Sequence, residues 1–146
     1  GGTTGRFYRQ LVVEQALAAH SGTWYSANNR GPSVFGFYGS PRPGKTLDEI
    51  EAAIEAQISD LLENGVTKQE VQLAIERMQA EAVFARDSLG APPRILGNAL
   101  MTGQSIEDVE AWPERIGAVT VEAVNAAARA VLETSGAVTT RLTPSP

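Results

Sequence analysis

Few side chains in this sequence could carry chemistry, and their spacing limits them further. His20 is the single histidine among 146 residues, and cysteine is absent. Imidazole titrates near neutral pH, so His20 is the one candidate for a general base or a histidine metal ligand. One imidazole makes no zinc site, and neither H-x-x-H nor H-x-x-E-H occurs. Without a thiol, cysteine nucleophiles, disulfides and Cys-ligated metals are excluded. Glu14 beside Gln15, and Glu49 with Glu51, would be acid–base pairs only if they faced each other. Positions one or two apart on a helix point in different directions. Glu76, Glu81 and Asp87 are interspersed with Arg77 and Arg86 as on a solvated helix face. The opening GGTTG lacks the G-K-[ST] ending and the preceding strand of a phosphate cradle, so Thr3 or Thr4 reads as a helix cap. Trp24, Tyr25, Phe35, Phe37 and Tyr38 could stack on a ligand, although hairpin aromatics more often form core and cross-strand pairs.

The elements that must position these residues follow from periodicity and punctuation. Phe7, Leu11 and Leu17, with Tyr8 and Val12 beside them, give a helical stripe beginning after Gly5. The stretch 19–27 then favours a strand through Thr23, Trp24 and Tyr25. Asn28 to Pro32 is a turn cluster, and the stretch 33–38 is a second strand, antiparallel to the first. Gly36 within it leaves room for a bulky neighbour such as Trp24. Thr46 with Glu49, and Thr67 with Glu70, are T-x-x-E capping boxes. The first opens a helix lined by Leu47, Ile50, Ile54, Ile58 and Leu61 and closed by Gly65. The second opens a long helix to about Ser88, with Val71, Ala74, Met78, Ala82 and Ala85 inward. Gly90 to Pro93 breaks the chain before a short helix through Leu96 and Leu100. Ser105 with Asp108 caps another turn, which ends near Trp112 and Pro113. Thr120 opens a last helix with Val121, Val124, Ala128, Val131 and Leu132 on one face, ended by Gly136. The stretch 137–142 alternates as a final strand.

This order predicts an α+β protein: an α/β sandwich with several helices packed on one face of a mostly antiparallel sheet. Three strands are thin cover for so much helix, so further strands are expected before Gly1. The whole of 1–146 is expected to be one domain. Net charge is −5 with no run of Lys or Arg, which argues against a nucleic-acid partner. No apolar run approaches the ~20 residues needed to cross a bilayer. The absence of cysteine fits a cytoplasm, and equally a periplasm or a cell surface, so the compartment stays open.

Five segments in register resemble a known family. These are GGTTGRFYRQL, VVEQALAAHSGTWY, FGFYGSPRPGKTLDEIEAAI, GVTKQEVQLAIERMQAE and DVEAWPERIGAVTVEAVNAAA. In this order they resemble the non-catalytic C-terminal lobe of pitrilysin/insulinase/mitochondrial-processing-peptidase-type zinc metallopeptidases, the inverzincins. Such enzymes close two similar lobes around a chamber. One lobe binds zinc through H-x-x-E-H and a later glutamate. The other often supplies an arginine and, seven positions on, a tyrosine to the substrate. The resemblance puts those positions on Val12 and Ala19, both substituted, and makes His20, Trp24 and Tyr25 candidate chamber-lining residues. It implies no catalytic residue and no metal in this chain, zinc in a companion lobe, and an unfolded peptide as substrate. The partner is then a zinc-bearing N-terminal lobe or subunit. Two other readings stay open: a non-enzymatic scaffold or partner subunit of the same fold, and an unrelated α/β ligand-binding domain.

Overall fold

The computed structural model describes residues 2, 5–132 and 136–143, so the candidate caps Thr3 and Thr4 lie outside the described residues. The chain divides into two compact units. The first takes the residues up to Tyr25, Val34–Gly65 and those from Ala128 on; the second takes Ser26–Ser33 and Val66–Ala127.

In the first unit, helix α1 (Arg6–Tyr8) runs directly into a π-helical turn, Arg9–Glu14. The widened turn is closed by the Gln15 N–H, which donates to Gln10 O at 2.9 Å. Ala16 then reverses the chain at φ 49°. Leu17 therefore lies beyond the helix rather than on its stripe, its N–H donating to Leu11 O at 3.0 Å. Strand β1 (Ala18–Tyr25) pairs antiparallel with β2 (Phe35–Pro41), with Tyr25 opposite Phe35 and His20 opposite Ser40. β2 runs later than the sequence predicts: Ser33 and Val34 stay outside it, while Gly39, Ser40 and Pro41 join it. Proline is tolerated there because the strand's end needs no further ladder donor. Gly36 does lie opposite Trp24, and a Cβ at Gly36 would fall inside the indole.

Helix α2 (Leu47–Asn64) covers one face of this hairpin. A Cβ at Gly39 would come within 2.7 Å of Ile50 Cγ2, so β2 and α2 meet closely there. The core of the unit is Leu11, Val12, Ala18, Ile50 and Ala53, with Phe7, Tyr8, Leu17 and Ile54 packed against it. α2 starts as its sequence predicts. Glu49 N–H donates to Thr46 Oγ1 at 3.2 Å, and Thr46 N–H donates to Glu49 Oε2 at 2.8 Å. The Thr46 backbone bond, followed by Lys45, holds the Glu49 carboxyl below its usual range. Thr46→Ala removes one half of this box and is expected to cost about 1 kcal/mol. A urea midpoint equal to that of the unsubstituted chain would show that the cap is not needed.

The stretch 137–142 is not a strand. Residues 137–143 are exposed and carry no helix or ladder, with Val138 87% and Leu142 92% accessible. Arg141 anchors it to α2 through Asp48, at 2.7 Å, and Glu51. Alternation supplies only a pattern. A strand also needs a neighbour to take its backbone N–H and C=O groups, and no described residue does so.

In the second unit α3 (Lys68–Arg86) carries its own complete capping box, Thr67 with Glu70. Its inner face, with Val71 and Ile75 buried, packs on α6 (Trp112–Gly117) and on α4 (Ala91–Met101), which contributes buried Ala99. Pro92 and Pro93 stand in the first turn of α4, where a missing N–H costs nothing. α5 (Ile106–Glu110) begins at the Ser105–Asp108 box. Trp112 and Pro113, which the sequence marks as an end, instead start α6 by the same proline rule. α7 (Val121–Val131), of which the residues up to Ala127 belong to this unit, opens on Thr120, whose Oγ1 accepts from Ala123 N–H at 3.2 Å. It stops at Val131, before the predicted terminator Gly136. The loop between the two strands is tied down here, with Arg30 Nε donating to Met101 O at 2.7 Å. The architecture is mixed α+β, helices with an antiparallel two-stranded sheet. Among the described residues no helix is long and apolar enough to cross a membrane.

Candidate functional site

The residues that the sequence singles out gather along β1 and the corner before it, and the strand's parity sorts them. Ala19 has no partner in the ladder: pairing passes from Ala18–Pro41 to His20–Ser40, so Ala19 is the extra residue of a β-bulge. Beyond the bulge, successive side chains alternate between faces. Ser21, Thr23 and Tyr25 share the face covered by α2, where Ser21 is buried. His20, Gly22 and Trp24 take the other face.

The aromatic side chains divide accordingly. Tyr25, Phe35, Phe37 and Phe7 form a continuous ladder on the inner face, with successive ring centroids 6.1, 5.2 and 5.2 Å apart. Trp24 and Tyr38 lie on the outer face, each flat against a glycine of the opposite strand. A Cβ at Gly22 would sit 2.7 Å from Tyr38 Oη, as one at Gly36 would strike Trp24. Both rings remain about half exposed, and His20 is exposed on the same face. His20 and Trp24 are four residues apart, roughly 13 Å along a strand, so they share a face without touching. Tyr25 is not brought to them.

Val12 and Ala19 differ in setting. Val12 belongs to the core at 6% exposure. Ala19 is half-buried on the bulge. Neither side chain can donate a hydrogen bond to a carbonyl or an oxyanion. No pattern in the sequence points to Arg42, just past β2. Its Nε donates to Ala18 O at 3.0 Å and its Nη2 to Val12 O at 2.8 Å, while its backbone N–H donates to Leu17 O at 2.9 Å. Nothing local marks it, because its partners lie 24 to 30 residues back.

Among the described residues no three His, Asp or Glu side chains come together as metal ligands would. His20 is the single histidine of the sequence. The second unit has a shallow apolar groove of about 210 Å3 lined by Val66, Val71, Ile75, Met78, Ile116 and Val124 among others.

The family described as the peptidase M16 inactive domain matches residues 1–78, and the chain belongs to that family. It is 26% identical over 132 residues to an uncharacterized zinc protease of Streptomyces coelicolor, covering 90% of this chain and 28% of that protein. The chain thus spans less than a third of that curated relative. Two solved structures share the fold. One is a proposed zinc protease from Bordetella pertussis, with TM-score 0.82 and 19% identity, covering 99% of this chain and 78% of that one. The other is the inactive peptidase domain of a proposed zinc protease from Bordetella parapertussis, with TM-score 0.78 and 19% identity, covering 92% and 72%.

Proposed function

We propose that this chain is the non-catalytic C-terminal lobe of a bacterial zinc metallopeptidase, closing a peptide chamber against a zinc-bearing lobe. The observation that carries this reading is the inactive-domain match over residues 1–78, which spans the whole hairpin and its corner. Zinc and the general base would reside in the companion lobe. This chain would contribute surface: the outer edges of β1 and β2 offer N–H and C=O groups to an extended peptide, which can add as a strand. With Val12 and Ala19 in place of hydrogen-bonding side chains, contact with peptide would run through backbone. His20 and Trp24 on the outer face are the chamber-lining candidates.

The test is proteolysis of a quenched fluorescent casein by the purified 146 residues, with and without a chelator, and again after adding the zinc-bearing lobe. No chelator-sensitive cleavage is expected from the chain alone. Such cleavage by the isolated chain would overturn the reading. An H-x-x-E-H motif in the companion lobe separates a working peptidase from a scaffold of the same fold.

A further inference from the structure

The corner joining α1 to β1 concentrates the backbone irregularities of the first unit. Residues 9–14 form a π turn, a feature frequent at functional sites. Ala16 is the one non-glycine among the described residues with positive φ, at 49°. Left-handed alanine is unfavourable and persists only where its surroundings hold it. Ala19 is the extra residue of the bulge, a device that re-aims neighbouring side chains. All three lie within one short stretch of chain, and one side chain bonds backbone at two points of it.

Arg42 reaches a carbonyl within the π turn (Val12) and the one that opens the strand (Ala18), while its own N–H donates to Leu17 O between them. Among the described residues it has no carboxylate partner, so its guanidinium is committed to backbone. Two carbonyls held by two nitrogens of one planar fork fix both distance and angle, which a lysine ammonium cannot reproduce. We infer that Arg42 is a positioning residue: it locks the corner between the π turn and β1 in the register that presents β1 to a peptide. This rests on the peptide-presenting reading above. Arg42 would act through the segment it pins, with no contact to peptide of its own.

The experiment uses the full chain and a permanently unfolded probe, fluorescein-labelled, reduced and carboxymethylated α-lactalbumin, read by anisotropy. Arg42→Met removes both side-chain bonds, and Arg42→Lys leaves one ammonium to serve a single carbonyl. Charged hydrogen bonds of this kind set the scale: about tenfold weaker probe binding for Arg42→Met and about threefold for Arg42→Lys. Amide exchange should speed up at Leu17 to His20 while protection in α2 is retained, which separates loosening of the corner from general unfolding. If Arg42→Met does not fold, the graded loss in Arg42→Lys decides the question. Unsubstituted chain that binds the probe, with both variants binding equally well, would overturn the role of Arg42 alone. Unsubstituted chain that binds no probe would overturn the peptide-presenting reading and the inference with it.

Discussion

Val12→Arg is expected to abolish cooperative folding of the first unit. The resemblance equates this position with a substrate-contacting arginine, yet here the side chain is 6% exposed among Leu11, Ala18, Ile50 and Ala53. The core side chains that it meets there are apolar. A guanidinium placed there would lose its hydration without gaining a counter-ion, and the Val12 carbonyl already receives the Arg42 guanidinium at 2.8 Å. An uncompensated buried charge costs at least about 3 kcal/mol. That is a large share of the roughly 5–15 kcal/mol by which a domain is stable. Ala19→Tyr is the internal control. Ala19 is half-buried on a bulge with no partner in the ladder, so its Cβ has a route to solvent, and a change below about 1 kcal/mol is expected. Urea titration with near-ultraviolet dichroism reads both variants. A Val12→Arg chain that unfolds at the same urea concentration as the unsubstituted one would mean that residue 12 turns outward. The position would then be free to serve a substrate.

What could be read from the sequence was whatever a few neighbouring residues decide among themselves. The capping boxes at Thr46, Thr67 and Ser105 all form, because each needs only a side chain and a backbone N–H three residues away. The Gly36–Trp24 pairing was equally readable, because a hairpin's register follows from its turn and alternation. The misreadings come from single extra residues and from distant partners. A π turn and a left-handed Ala16 end the first helix early and take Leu17 off its stripe, and no local residue type announces either. The Ala19 bulge resets the parity of β1, and alternation beyond it puts Tyr25 on the face of the Phe35–Phe37 ladder and Trp24 on the opposite face. A list of hairpin aromatics cannot make that division. Residues 137–142 have the composition of a strand and, among the described residues, no neighbour to complete one. Arg42 was invisible for a related reason: its function in the fold is defined by carbonyls far back in the chain.

Leu11→Ala should be the most damaging of the simple truncations. Leu11 is 0% exposed and is the largest fully buried side chain among the described residues. It sits where α1, the π turn, β1 and α2 share one cluster, and few other large apolar groups there are fully covered. Truncation removes the transfer energy of the lost methyl and methylene groups and leaves a cavity. The surroundings can collapse only partly, because Leu11 O is held by Leu17 N–H at 3.0 Å and the neighbouring Val12 O by Arg42. Leucine-to-alanine changes at such sites cost about 2–5 kcal/mol, toward the upper end where relaxation is restricted. Leu89, fully exposed, gives the contrast: its truncation should change stability by less than about 0.5 kcal/mol. Equal urea midpoints for the two variants would place the stabilising core of this unit elsewhere. The predicted separation would locate that core at the base of the corner that Arg42 pins. Loosening that base should also weaken the probe, since β1 emerges directly from it.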